Sequence, residues 1–178
     1  MISCGSEQNV NQDFFDKLSQ HCGNAYQGAL AFQAPGFDLL NGEELLIAHF
    51  RECDETTLKI PFHIEKEDGD WDRSRTWILT NHGNRLELRH DHRLADGTDD
   101  DFTMYGGFSY GENKANMHQF QSVERSEETG EYRGWRLEIY PGERYVYGTV
   151  RDTNWTWRIE FDLSKPLDEV PPAPWGHE

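Results

Sequence analysis

The segment Asn84-Arg-Leu-Glu-Leu-Arg-His-Asp-His-Arg-Leu94 alternates between two kinds of side chain, and this alternation decides the fold class. Leucine and histidine occupy the even positions from Leu86 to Leu94, whereas charged residues occupy the odd positions. A β-strand with this period of two turns its apolar set toward a core. The segment therefore predicts a strand whose core side carries two imidazoles, His90 and His92, and a buried imidazole needs a hydrogen-bond partner.

Strand patterns of similar length recur along the chain and are separated by short turns rich in Gly, Pro, Asn and Asp. The expected strands are 25–34, 45–52, 57–64, 74–80, 84–94, 102–105, 117–123, 135–140, 144–150 and 155–161. A short helix is expected over 13–21, with Asp13 as its cap. The predicted organisation is a flexible tether (1–12), one domain (13–164) and a Pro-rich irregular tail (165–178).

The spacing of these strands predicts an all-β fold. Helical segments between the strands are missing from the pattern, which disfavours a parallel α/β sheet. An antiparallel meander that closes into a barrel leaves no unpaired edge. We therefore expect a barrel of about 9–10 strands, which is typical of such regular strand spacing, with a short N-terminal helix.

The composition fits one domain and excludes one class of partner. The 178 residues include ten Phe, seven Tyr and six Trp, which bury large areas and compensate for the low content of aliphatic residues. The formal net charge is −16, so a nucleic-acid backbone would be repelled and no nucleic-acid partner is expected. No apolar run is long enough to predict a transmembrane segment. The composition indicates neither a cofactor nor an oligomeric state.

The start of the first strand resembles the calycins, the family of lipocalin-type barrels. Lipocalins carry Gly-x-Trp there, and an Arg or Lys of the last strand packs over the Trp. Here Gly23-Asn-Ala-Tyr26 stands in the place of that motif, with the spacing off by one and Tyr instead of Trp, and Arg158 lies on the last strand. The resemblance implies a calycin-like barrel, and calycins hold a small apolar ligand or haem inside.

The beginning of the chain, Met1-Ile-Ser-Cys4-Gly-Ser, resembles the end of a bacterial lipoprotein signal. In those signals a small residue precedes the cysteine that is lipidated, as Ser3 precedes Cys4. The resemblance implies a lipid anchor on Cys4 and a location in the bacterial cell envelope, as a periplasmic or outer-membrane lipoprotein. Cys22 and Cys53 would then remain as a disulfide pair in an oxidising compartment, whereas in the cytosol they would be two free thiols.

Four further segments resemble uncharacterised secreted proteins of bacteria. They are 72–79, the His strand with the Asp-Gly-Thr turn that follows it, 103–107 and the ending 171–176. This resemblance covers much of the chain and implies an exported bacterial protein. It implies no activity.

The His90-Asp-His92 sequence is compatible with two kinds of chemistry and with a structural role. Two imidazoles at i and i+2 of one strand can reach the same metal ion, with His118 as the expected third ligand and His63 or His49 as alternatives. Without metal, a histidine oriented by a carboxylate acts as a general acid or base. Alternatively, both histidines are hydrogen-bonded members of a semi-polar core.

The leading functional hypothesis is a small-molecule-binding protein of the cell envelope, with a small apolar or aromatic ligand. Its interior pocket would contain His90, His92, Leu88, Arg75, Tyr105 and Trp157. The first alternative is a barrel enzyme (an isomerase, lyase or hydrolase) that uses the His pair as acid/base groups or metal ligands. The second alternative is a structural or interaction lipoprotein with a filled core.

Two other sets of residues have a functional and a structural interpretation. The acidic segments 65–72 and 96–101 offer oxygen ligands for calcium, but neither has the full EF-hand pattern, and a solvated turn is the simpler interpretation. Aromatic side chains on the last three strands are expected either to line a cavity or to form core contacts. They are Trp135, Tyr145, Tyr147, Trp155 and Trp157.

Overall fold

A computed structural model describes residues 9–178, and most of their regular structure is β. Two helices are present, α1 (Val10–Ser19) and α2 (Val123–Thr129). The strands are β1 (Ala25–Gln33), β2 (Leu46–His49), β3 (Glu52–Cys53), β4 (Thr57–Glu65), β5 (Trp71–Asn81), β6 (Leu86–His92), β7 (Tyr105–Phe108), β8 (Met117–Gln121), β9 (Arg133–Tyr140), β10 (Arg144–Arg151) and β11 (Asn154–Pro166). The all-β prediction is confirmed.

The strands form one antiparallel sheet in the order β7-β6-β5-β4-β2-β1-β11-β10-β9-β8, with β3 paired to β4. Except for the β1–β11 pair, strands that are neighbours in this order are also neighbours along the chain, or are separated there only by the two-residue β3. The predicted meander is therefore correct. The β1–β11 pair joins the two ends of the chain and bends the sheet into a nearly closed barrel.

The barrel closes at the seam between β7 and β8. A single bridge, Ser109 with Phe120, links the two strands, and the Tyr110 amide donates to the Gln119 carbonyl at 2.8 Å. A Cβ atom on Gly107 would lie 1.8 Å from the carbonyl oxygen of Gln121. Only glycine allows the two backbones to approach so closely, so Gly107 makes this closure sterically possible.

Strand β6 turns Leu86, Leu88 and His90 into the barrel, as its alternation predicts. Two expectations for this strand are wrong. Leu94 is exposed, because the strand ends at His92. Asp91, expected on the solvent side, is buried because the C-terminal tail covers it.

Helix α1 closes one end of the barrel. Its buried residues, Phe14, Phe15 and Leu18, have the expected helical spacing. The helix starts three residues before the predicted position, because the side chain of Asn9, rather than Asp13, accepts the first free amides. The predicted tether therefore loses residues 10–12 to the helix.

The predicted Cys22–Cys53 disulfide is present, with the two Cα atoms 6.2 Å apart. It joins the segment after α1 to β3. Next to it, the Gly23 amide donates to the Phe50 carbonyl at 2.8 Å, and the Phe50 amide donates to the Asn24 carbonyl at 3.0 Å. These bonds attach the end of the barrel that carries α1 to the β2–β3 region.

The C-terminal tail follows the outer face of β4, β5 and β6. His63 Nε2 donates to the Pro172 carbonyl at 2.8 Å, and Arg73 Nη1 donates to the Ala173 carbonyl at 2.6 Å. His177 Nε2 contacts Asp91 Oδ2 at 2.7 Å. The predicted tail (165–178) is irregular only from residue 167 onward, because β11 continues to Pro166, which pairs with Tyr26. The contacts above fix the course of the irregular part.

The segment between the expected strands 117–123 and 135–140, where no helix is expected, contributes most of α2. Gly130 ends the helix in the left-handed conformation, with φ of 69°. Neither helix in the described part of the chain has the length and apolar character needed to cross a bilayer.

Candidate ligand-binding cavity

The end of the barrel opposite α1 contains a cavity of about 650 Å³. Nine of its seventeen lining residues carry an aromatic or imidazole ring. Strand alternation places these rings, since inward-facing positions of β4, β5, β6, β9, β10 and β11 all contribute to the wall. The β1–β2 loop (36–40, the mouth loop) and Arg125 of α2 line the opening.

His90 forms the best-defined polar contact of the wall. Its ring is buried, its Nδ1 lies 3.2 Å from the Tyr105 carbonyl oxygen, and its Nε2 lies 2.6 Å from the Tyr147 hydroxyl. A carbonyl can only accept, so Nδ1 carries the proton, and Nε2 accepts the hydrogen of Tyr147. Burial lowers the pKa of His90 to about 3 and raises the pKa of Tyr147 well above its ordinary value. At neutral pH the pair is therefore an uncharged imidazole and an uncharged phenol.

Tyr105 connects His90 with His92. Its ring stacks on His90, with centroids 4.7 Å apart and planes 7° apart, and its hydroxyl shares a hydrogen bond with His92 Nε2 at 3.1 Å. Burial and the nearby charge of Arg75 lower the pKa of His92. Both histidines are thus held by protein partners, as the structural interpretation of the His pair expected.

A stack of three aromatic rings forms another part of the wall. Phe62 lies against Trp77 with centroids 4.8 Å apart, and Trp77 lies against Tyr147 with centroids 4.1 Å apart. Trp157 meets Tyr147 edge to face at 6.1 Å. The indole nitrogen of Trp157 is buried and has no hydrogen-bond partner among the described residues. An unpaired buried donor of this kind lowers stability.

Two arginines line the opening of the cavity. Arg75 Nη1 donates to Asp72 Oδ2 at 2.5 Å and to Ser74 Oγ at 3.1 Å, so its charge is already paired. Arg125 is exposed, and no carboxylate lies within 4.0 Å of it in the part of the chain that the structure covers. Its guanidinium carbon lies 6.0 Å from the ring centre of Tyr105. Arg125 is therefore a free cation beside the aromatic wall.

The structure places five of the six residues expected in a pocket around this one cavity. They are His90, His92, Arg75, Tyr105 and Trp157. Leu88, the sixth, is fully buried in the core and does not line the cavity, because it lies two residues further from the open end along β6.

The structure does not assemble the expected metal ligands. His118 lies at the closed end, where its ring packs on Phe14 of α1 at 4.4 Å and its Nε2 bonds the Asn11 side chain at 3.0 Å. The ring nitrogens of His90 are both engaged in hydrogen bonds. His63 points to the tail, and across residues 9–178 no three His, Cys, Asp or Glu side chains form a group suited to a metal ion.

The other candidates from the sequence are the aromatic side chains of the last three strands and the two acidic segments. Trp135, Tyr147 and Trp157 line the cavity, whereas Tyr145 is buried in the core and Trp155 lies under the guanidinium of Arg136 at 4.8 Å. Asp96 makes an ordinary turn in which its carboxylate accepts from the amide and hydroxyl of Thr98. Lys66 pairs with Asp68 and Asp70 in the other acidic segment.

Sequence reasoning missed three contributors to the cavity: Trp77, Arg125 and the mouth loop. Trp77 had a usable signal, because it faces the barrel together with Leu79 in the expected 74–80 strand. Arg125 lies in α2, and the sequence offered two signals for that helix: Ser122, a residue type typical of a helix start, and Gly130, a residue type typical of a helix end. The mouth loop has no periodicity, and only the fold shows where it lies.

The calycin motif is not reproduced. Arg158 pairs with Glu160 at 3.2 Å and lies 5.8 Å from the Trp155 ring, whereas Tyr26 packs against His21 and Phe50 near α1. Comparison of the chain with protein-family models, curated proteins and solved structures finds no match in any of the three. The likeness to calycins is therefore one of barrel architecture.

Proposed function

We propose that the chain is a small-molecule-binding protein whose ligand lies in the open end of the barrel. The observation that carries this proposal is the aromatic cavity of about 650 Å³. Ligand pockets in proteins usually span about 300–1,000 Å³ and combine apolar walls with a few polar groups. Here the polar groups include the guanidinium of Arg125 and the imidazole of His92.

The state of His90 favours binding over acid/base catalysis. A general base works best with a pKa near the working pH, and burial lowers the pKa of His90 to about 3. Its Nε2 lone pair is engaged by Tyr147, and its Nδ1 proton by the Tyr105 carbonyl. In this arrangement His90 has no lone pair for a metal ion and no mobile proton for a substrate.

We also propose that the protein is exported from the cytoplasm and carries a lipid anchor on Cys4. A disulfide is typical of proteins outside the cytoplasm, so Cys22–Cys53 supports an exported protein. Cys4, the proposed lipid attachment site, lies outside the described residues. Mass spectrometry of the protein isolated from its own cells tests the anchor, because an acylated Cys4 adds the mass of a diacylglyceryl group, and an unmodified peptide would contradict it.

The binding proposal is tested by titration with N-phenyl-1-naphthylamine, an uncharged probe that fluoresces in apolar surroundings. We expect one saturable site per chain. Ile64→Trp places a larger side chain in the cavity wall and should weaken probe binding by about tenfold or more, because a ring of that size fills space the probe needs.

The matched control is Ile78→Trp. Ile78 is on β5 and does not line the cavity, since its buried neighbours Trp77 and Leu79 face the opposite side of the sheet. This variant should bind the probe as the original protein does, with both variants folded by circular dichroism. The absence of a saturable site in the original protein, or equal loss in the two variants, would refute the binding proposal.

A further inference from the structure

Several hydrogen-bonding groups of the cavity wall are already paired within the protein. His90 is satisfied at both nitrogens, and the hydroxyls of Thr149 and Thr156 bond each other at 2.7 Å. The buried indole N–H of Trp157 has no partner within residues 9–178. The wall therefore leaves few polar groups free for a ligand, so the charges at the opening have the larger influence on which ligand fits.

The unpaired positive charge at the opening belongs to Arg125. Arg75 is neutralised by Asp72, whereas Arg125 has no carboxylate within 4.0 Å in the described range. The guanidinium carbon of Arg125 lies 5.9 Å from the ring centre of Trp135, which lines the cavity. Asp38, the one carboxylate that lines the cavity, is on the exposed mouth loop. The cation is thus the charge that lies beside the aromatic wall.

The shape of the wall indicates a flat apolar body. Trp77, Trp135 and Trp157 approach the cavity from three different strands, with Tyr105 and Tyr147 beside them. Aromatic faces and edges pack best against other flat rings, in offset-stacked or edge-to-face arrangements. A planar aromatic ligand would contact several of these rings at once.

We propose that the ligand is a planar aromatic carboxylate, with its rings among these tryptophans and its carboxylate on the guanidinium of Arg125. Arginine suits this role because its planar fork can donate two parallel hydrogen bonds to a carboxylate. The net charge of −16 opposes an anion only weakly at physiological salt, where the screening length is about 8 Å. This inference rests on the proposed binding function and adds the chemical class of the ligand.

The test compares three probes of similar size by calorimetry at neutral pH: 2-naphthoate, 2-naphthamide and 2-naphthylmethylammonium. The protein should prefer the anion to the neutral amide by about tenfold, the gain that a charge-assisted pair can give. Arg125→Gln should remove this preference and leave 2-naphthamide binding within about twofold, and Arg125→Lys should restore part of it.

The control variant is Arg144→Gln. Arg144 is an exposed arginine at the other end of β10 from Thr149, where it lies over the Tyr140 ring at 4.5 Å, and it does not line the cavity. It should bind all three probes as the original protein does. Because both arginines are exposed, neither change is expected to unfold the protein, and thermal melting curves verify this.

The outcomes separate this inference from the proposed function. Equal binding of anion and amide, or an unchanged preference in Arg125→Gln, would refute the role of Arg125 while the cavity stays a binding site. Tighter binding of the cationic probe would show that the Asp38 carboxylate, rather than Arg125, determines the charge preference. That result would refute the proposal that the ligand is a carboxylate. If none of the three probes binds, the binding function itself fails.

Discussion

The two ends of this barrel are covered in different ways. At the closed end, α1 inserts Phe14, Phe15 and Leu18, and Lys17 Nζ donates to the Ala115 carbonyl at 2.9 Å. The Cys22–Cys53 disulfide lies just beyond the helix. At the open end, the mouth loop and one arginine of α2 border a cavity. One end is filled and lies beside the disulfide, whereas the other contains a cavity with the Arg125 cation in its lining.

Because of this difference, one strand contributes both to the filled core and to the wall of the cavity. Along β6, Leu88 is core, and His90 and His92 line the cavity. Along β10, Tyr145 is core, and Tyr147 lines the cavity. The alternation sets the inward face, and the position along the strand decides whether a side chain fills the core or borders the cavity. We therefore expect changes at the closed end to lower stability and changes at the open end to alter binding.

The largest expected effect is the loss of stability in acid, to which both ends contribute. Burial lowers the pKa of His118, at the closed end, and of His49 to about 4, and the pKa of His90, at the open end, to about 3. The unfolded chain, with ordinary histidine pKa values, binds more protons below pH 6.5. Stability is therefore complete above about pH 6.5 and falls as the pH decreases, by roughly 2 kcal/mol per histidine between pH 7 and pH 5.

Urea unfolding at a series of pH values measures this slope. His118→Gln should reduce the slope but not abolish it, because the other histidines with lowered pKa values, including His21, His63 and His92, still contribute. Carboxylates with lowered pKa values, such as Asp91 and Glu87, lose their contribution only at lower pH and do not affect this range. An unfolding free energy that stays constant from pH 7 to pH 5 would show that these histidines are not buried in the neutral form.

The next effect belongs to the closed end alone. Replacing Cys22 and Cys53 by serine opens a loop with a sequence separation of 31 residues. Loop-closure entropy gives about 3–4 kcal/mol for a loop of this size. The double variant should lose about this much unfolding free energy in urea and still bind N-phenyl-1-naphthylamine within about twofold at 25 °C. A loss of binding as large as that of Ile64→Trp, in a variant that is still folded, would show that the two ends are coupled.

The smallest effect compares two tyrosines of the same strand. The Tyr147 hydroxyl bonds His90, whereas the buried Tyr145 hydroxyl has no partner in the described part of the chain. Tyr147→Phe leaves His90 Nε2 unpaired and should lower the unfolding free energy by about 1–3 kcal/mol. Tyr145→Phe removes an unpaired polar group and should be neutral or slightly stabilising. Equal effects of the two changes would contradict the assigned hydrogen bond.

The sequence was sufficient for the parts of the fold that depend on local pattern. Alternation in 84–94 and 155–161 predicts strands, and regular spacing predicts an antiparallel meander. The Cys22–Cys53 pair is confirmed, although it was inferred from a resemblance near Cys4. These features need only the period of two and the spacing of turns.

The remaining features depend on contacts between distant segments, which no local pattern encodes. Asp91 is buried because His177, 86 residues away, reaches it from the tail. His118 faces α1 instead of His90, because its position on β8 is at the closed end. Arg125 reaches the cavity only because α2 follows the strand at the barrel seam. An interior pocket around the His pair could thus be predicted from the sequence, but the full set of residues that line it could not.

The most direct test of the open-end cavity uses the six tryptophans as reporters. Trp77, Trp135 and Trp157 line the cavity, whereas Trp71, Trp155 and Trp175 do not. In ¹H–¹⁵N spectra of the labelled protein, each indole N–H gives one signal, assigned through single Trp→Phe variants. Saturating 2-naphthamide should shift the signals of the first three and leave the other three in place. Shifts confined to Trp71, Trp155 or Trp175, or six unchanged signals, would contradict a binding site in the open end of the barrel.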